Sequence, residues 1–107
     1  MTWVVEYLNA QVVKEAGELP AEMRARLSRI IELIQAHGLE RVHEPHVKHL
    51  VGQLWEMRLK GSSGIARAIY VTVIGKRVVI VRVFVKKTQK TPRREIELAL
   101  ERAKEVT

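Results

Sequence analysis

Two long β-forming runs with only a tight-turn pair between them constrain this chain more than any other feature. Residues 65–74 and 77–86 are dominated by Val, Ile and other strand formers, and Gly75 and Lys76 lie between them. A Gly where the backbone needs positive φ makes this a two-residue hairpin. The second run is apolar on both faces, which predicts an interior strand. Residues 54–59 alternate, with Trp55, Met57 and Leu59 on one side and Glu56 and Arg58 on the other. They predict the preceding strand of the same meander, joined through a turn over residues 60–64. Trp55 and Phe84 read as core residues, in register with Met57 and Leu59 and with Val78 and Ile80.

The rest of the chain supplies a first strand and helices. Residues 2–8 read as strand. Asn9 can cap a short helix through Gly17. Pro20 opens a longer helix in which Met23, Leu27, Ile30, Ile31 and Ile34 recur at helical spacing and Gly38 follows the last turn. Residues 39–51 are irregular, and Pro45 argues against a continuous helix there. Thr91 can cap a last helix with Pro92 in its first position and Ile96, Ala99, Leu100 and Ala103 on one face, running to about Glu105. The expected order is β-α-α-β-β-β-α, an α+β fold with a small, mostly antiparallel sheet. At 107 residues the chain is about one domain, residues 1–107.

Charge narrows the function. From Met57 to Arg94 there are eleven Lys or Arg residues and no acid: Arg58, Lys60, Arg67, Lys76, Arg77, Arg82, Lys86, Lys87, Lys90, Arg93 and Arg94. The whole chain carries a formal +7 and has no Asp. Cations along β-rich segments favour a polyanion, through phosphate contacts and counterion release. Cysteine is absent, which excludes disulfides and thiolate zinc and fits a cytoplasmic protein. No apolar run approaches the length of a bilayer span and the N-terminus does not read as a signal peptide. His43, His46 and His49 form a His-x-x-His-x-x-His series, but Pro45 interrupts the helix that would align them, so no metal site is assigned. His49 is instead a candidate neighbour of RNA. The aromatic residues are too few for a base-stacking platform.

Three segments carry a resemblance. They are Leu54, Trp55, Glu56, Met57 and Arg58; then Ala66, Arg67, Ala68, Ile69 and Tyr70; then Phe84 through Pro92, with Glu95, Ile96 and Ala99 behind. In this order and spacing the chain resembles the RelE/HigB superfamily of bacterial toxins, most closely its phage-derived branch. The resemblance implies a small basic endoribonuclease that cuts mRNA in the ribosomal decoding site, needs no cofactor, and is silenced by a cognate antitoxin, here expected to be of helix-turn-helix type. It implies Arg58 in a cationic clamp, Arg67 as the transition-state arginine, and Lys86 with Lys87 at the end of the last strand. Glu44 and Lys48 match a stretch that supplies the general base in one relative. The chain departs from better-known relatives in having no His or Tyr after the last strand; Lys90 or Arg93 stand there instead. Lys60 completes the candidate RNA contacts. The superfamily fold also hosts ParE-type toxins that bind DNA gyrase without nuclease chemistry, and a passive RNA-binding module is the third alternative.

Such cleavage takes the proton of a 2′-OH, neutralises charge on a phosphorane-like transition state and protonates the leaving 5′ oxygen. Charge neutralisation is what this sequence supplies most generously. Glu56 reads as a carboxylate that balances its cationic neighbours, and Arg67 as a surface donor whose removal leaves the fold intact. Lys76 and Arg77 sit at the hairpin, far from Lys86 and Lys87, and are expected to help docking alone.

Overall fold

A computed structural model describes residues 2–43, 46–62, 64–86 and 90–107. Asn9 caps the first helix as its position predicts: its Oδ1 accepts the backbone N–H of Val12 at 3.1 Å, satisfying one of the free donors of the first turn. The cap separates strand β1 (Val4–Tyr7) from helix α1 (Ala10–Gly17). Helix α2 (Ala21–His37) buries Met23, Leu27, Ile30 and Ile34 in one stripe and ends at Gly38, whose φ of 93° a side chain would resist. After a 3-10 turn (Leu39–Arg41) come four strands, β2 (Val47–Val51), β3 (Leu54–Gly61), β4 (Gly64–Val73) and β5 (Arg77–Lys86), and helix α3 (Arg93–Ala103).

The sheet order is β1-β5-β4-β3-β2, with β1 parallel to β5 and the other pairs antiparallel. The α+β class and the element order hold, with one addition. Strand β2 lies inside the segment read as irregular. It is an edge strand with Val47 as its only buried residue, so it lacks the apolar alternation that marks a strand in sequence.

Each face of the sheet has its own core. Helices α1 and α2 cover Met57, Leu59, Ala66, Ala68, Tyr70, Val78 and Ile80. Helix α3 lies on the other face, where Ala99 and Ala103 meet Leu54, Ile69, Val71, Val79, Val81 and Phe84. Phe84 is thus buried, but on the face opposite Val78 and Ile80. The cause is a bulge: Ile69 pairs with Arg82 while Tyr70 pairs with Ile80, and the extra residue, Val81, inverts the alternation beyond it.

Two turns also differ from expectation. Val73 pairs with Arg77, so the hairpin has three linking residues, with Gly75 at φ 95° and Lys76 at φ 58°. The last helix stops at Ala103, and Pro92 occupies its N-cap position with no side-chain cap. Thr91 is used elsewhere.

Candidate phosphate-binding site

The pairing of β2 with β3 sets Lys48 opposite Glu56 and His49 opposite Trp55. Side chains alternate across a strand, so Lys48 shares the α3 face of the sheet with Glu56 and Arg58. The chain leading into α3 passes over the same face. Together these elements enclose a cavity of ≈ 480 Å³ lined by Lys48, His49, Leu50, Glu56, Arg58, Lys90, Thr91, Arg93 and Ile96. Five residues named from sequence therefore converge: Lys48, His49, Arg58, Lys90 and Arg93.

Glu56 organises the floor. It is 2 % exposed. Its Oε2 accepts from Arg67 Nη1, and its Oε1 accepts from Thr91 Oγ1 at 2.6 Å. Arg58 Nε stands 3.6 Å from Oε2, an ion-pair distance longer than a hydrogen bond. One buried carboxylate thus joins β3, β4 and the segment before α3. Its role as local charge balance, read from sequence, fits this geometry.

Arg67 overturns its sequence expectation. It is 1 % exposed and is among the largest fully buried side chains described. It is not a surface donor, and its removal takes away core volume as well as charge. The reason it could not be seen is that its partner, Glu56, sits one residue before the acid-free window opens.

The window is not uniformly a free cationic surface either. Arg77 Nε and Nη2 donate to Glu6 at 3.0 and 2.8 Å, and Nη1 donates to the Thr107 carbonyl at 2.8 Å. The Glu6 contact holds the Arg77 guanidinium above its ordinary range and Glu6 below its own. Arg77 therefore ties β5 to β1 and to the C-terminal residue. Arg82 bonds Glu95 through Nε at 2.7 Å and reaches Glu15 at 2.9 Å, and it packs 5.5 Å from the centre of the Phe84 ring. Acids just outside the window, or far before it in sequence, fold back onto these arginines.

Several cations are open to solvent at the cavity. Lys48 is exposed, the Arg58 side chain is 26 % exposed, and the Arg93 side chain is 92 % exposed, with Glu97 at 3.8 Å. Lys60 and Lys86 do not line the cavity. They pair with the same residue of β4, Ile65, near the start of that strand. Glu44 and Lys87 lie outside the described residues. His49 Nε2 is 2.8 Å from the Gly52 carbonyl, which orients its ring at the edge of the site. Thr91 is the residue that sequence reasoning missed as a site member. A hydroxyl-bearing residue just before Pro92 signals a cap, and only the fold reveals Glu56 as the closer acceptor.

Chemically the arrangement is a mouth of amine and guanidinium donors over a buried, already paired carboxylate. Such a site takes an anion, and a phosphate fits the donor geometry of Arg and Lys together.

Comparison with known proteins agrees with this architecture. A family model described as phage derived protein Gp49-like (DUF891) matches residues 14–104. The free-state structure of a mutant of the E. coli toxin RelE superposes with a TM-score of 0.66 at 17 % identity, covering 95 % of this chain and 98 % of that one. The RelE–RelB complex from the archaeon Pyrococcus horikoshii OT3 contains a chain that superposes with a TM-score of 0.56 at 26 % identity, covering 79 % of this chain and 96 % of that one. No curated protein matches the sequence significantly. Among the described residues no helix is long and apolar enough to cross a membrane.

Proposed function

The chain belongs to the phage-derived Gp49-like family and has the RelE fold, and on that premise we propose that it is the toxin of a toxin–antitoxin pair and cleaves mRNA on the ribosome. The observation that carries the reading is the convergence of Lys48, Arg58, Lys90 and Arg93 on one cavity beside the buried Glu56. Among the described lining residues Glu56 is the only carboxylate, and both its oxygens are engaged by the protein.

In the proposed reaction the 2′-OH of one nucleotide loses its proton and attacks the adjacent phosphorus. The P–O5′ bond breaks and the 5′ oxygen gains a proton, leaving a 2′,3′-cyclic phosphate and a 5′-OH end. Arg58, 3.6 Å from Glu56, donates to the non-bridging oxygens as charge develops on them. Each well-placed donor of this kind contributes about 10²–10³ in rate. Lys48 serves as phosphate ligand or, with Glu44, as a source of the base. Lys90 is the proposed proton donor to the leaving oxygen, with Arg93 beside it as a phosphate ligand and Lys87 close by in sequence. Arg67 acts from behind, by fixing Glu56. With this modest acid–base equipment, orientation of the message by the ribosome supplies part of the rate.

The archaeal relative is crystallised with RelB, and a cognate antitoxin, of helix-turn-helix type, is the partner proposed here. A +7 chain invites fast capture by a complementary acidic surface. Both would act in the bacterial cytoplasm.

The test is induction of the chain in a bacterium without its antitoxin, with transcript 5′ ends and plasmid supercoiling measured together. New 5′ ends within translated messages, lost in Arg58→Gln, are the expected result. Growth arrest with altered supercoiling and no new ends would replace this reading with gyrase poisoning.

A further inference from the structure

A second cavity lies beside the cationic one. It measures ≈ 530 Å³ and opens on the opposite face of the β2–β3 edge. Leu39 and Val42 form one wall, and Val47, Trp55 and Tyr70 form the other. Trp55 is 39 % exposed, although Met57 and Leu59, its partners in alternation, are 0 % exposed. A large ring left partly open to solvent in an apolar recess forgoes hydrophobic stabilisation and offers a stacking face. The polar groups around it are few: His43, Lys48, His49 and Thr72, with no carboxylate among the described lining residues. An apolar body with a small set of convergent polar groups is the usual build of a small-molecule site, and the volume lies in the usual range.

Two residues line both cavities, Lys48 and His49. They are neighbours on an edge strand, and their side chains point to opposite faces of the sheet. His49 meets the Trp55 ring edge-on, with centroids 5.0 Å apart and planes at 66°. Lys48 shares its face with Glu56 and Arg58. A ligand that spans this edge therefore presents an anion on the Lys48 side and an apolar planar body on the Trp55 side. A nucleotide has both parts. An apolar side chain of a protein partner has only one.

We infer that the Trp55 cavity is a nucleobase pocket, which receives a base of the RNA strand whose phosphate occupies the cationic cavity across β2. The strand rounds the open edge of β2, with its phosphate on Lys48 and an adjacent base stacked on Trp55 beside His49. Stacking on an aromatic ring accepts any base in part, and the rim groups His43, His49 and Thr72 give it hydrogen-bond discrimination. The inference deepens the RNA-cleaving reading, because it names a recognition subsite for that substrate.

Trp55 has one other tryptophan for company, Trp3, so a Trp3→Phe protein reports Trp55 fluorescence alone. We would titrate it with the four nucleoside 5′-monophosphates and with ribose 5-phosphate. Saturable quenching by at least one nucleotide and none by ribose 5-phosphate is expected, and Lys48→Gln should weaken that nucleotide about tenfold or more, the usual worth of a charge-assisted contact. Equal responses to ribose 5-phosphate, or no quenching by any nucleotide, would overturn the pocket. Quenching by the antitoxin alone would assign the cavity to a protein and overturn it as well. In parallel, transcript ends are mapped for the wild type and for Trp55→Ala, with thermal melting to check the fold. The ratio of cuts at the favoured base to cuts at the others should fall towards one in the variant; an unchanged ratio refutes the inference while leaving the nuclease reading standing. If the wild type cuts nothing, the nuclease reading fails, and the nucleotide titration still decides the pocket.

Discussion

Thr91 Oγ1 donates to Glu56 Oε1 at 2.6 Å, across 35 positions of sequence. The bond fastens the segment that carries Lys90 and Arg93 to the strand that carries Arg58, so it fixes the width of the cationic cavity. A hydrogen bond to a charged acceptor is worth about 1.5–3 kcal/mol. Thr91→Val should lower the melting temperature modestly and reduce the single-turnover cleavage rate by more than its loss of stability explains, while Thr91→Ser should recover both. A Thr91→Val protein that melts lower yet cleaves at the wild-type rate would show that the bond serves the fold alone.

Arg67→Ala should unfold the protein rather than disarm it. Arg67 and Glu56 are 1 % and 2 % exposed, and removing one member of a buried pair strands the other charge. The typical cost is about 3–5 kcal/mol, a large share of a small domain's stability. Replacing both, as Arg67→Met with Glu56→Gln, should cost less than Arg67→Ala, since no charge is left alone. Urea unfolding of the three proteins checks the order. Equal midpoints for wild type and Arg67→Ala would contradict the buried pair.

Lys48→Gln and Arg58→Gln divide stability from activity in the opposite way. Lys48 is exposed on an edge strand, and Arg58 touches Glu56 only at 3.6 Å. An exposed charge such as Lys48 contributes about 0–1 kcal/mol, and loss of the Arg58 guanidinium leaves Glu56 bonded to Arg67 and Thr91. Both variants should fold with nearly unchanged urea midpoints, and each should lose about 10²-fold or more in cleavage on programmed ribosomes. A Lys60→Gln variant, away from the cavity, is the comparison that should stay within a few-fold of wild type. If Lys60→Gln loses as much as Arg58→Gln, the reacting phosphate lies nearer the Ile65 end of β4.

Much of this was readable from residue order. The Asn9 cap, the stripe of α2 and the β4–β5 hairpin announce themselves through local chemistry, and local chemistry is what a sequence displays. The gathering of Lys48, Arg58, Lys90 and Arg93 followed from the resemblance. Three features were hidden because each depends on a distant partner. The edge strand β2 has one buried residue and shows itself only by pairing with β3. The bulge at Val81 turns Phe84 to the α3 face without any change in the apolar run. The acid-free window runs between Glu56 and Glu95, and those two bounding carboxylates reach inward to Arg67, Arg58 and Arg82. A stretch that looks uncompensated in one dimension is partly compensated in three.

Acid should loosen the seat of the C-terminal helix first. Burial by itself pushes the Glu15 carboxyl up, but the contacts it accepts outweigh burial and hold it below the ordinary 4.5. These are two bonds from Arg102 at 3.0 and 2.9 Å, the Val83 N–H at 3.1 Å, Arg82 at 2.9 Å and Gln11 at 3.3 Å. They bind α1 to the β5 bulge and to α3. A carboxyl with a folded-state pKa below its unfolded one contributes stability that is complete above the unfolded value. That contribution drains away as pH falls from about 4.5 through the lower, folded value. Glu6, held low by Arg77, titrates in the same sense at the β1 edge. The wild type should therefore lose stability steeply below pH 4.5, and the gap between it and Glu15→Gln should shrink over that range, with a smaller slope remaining in the variant from Glu6. Urea midpoints at pH 7, 5, 4 and 3 for both proteins measure this. A gap that stays constant across the series would mean that the Glu15 cluster does not couple α3 to protonation.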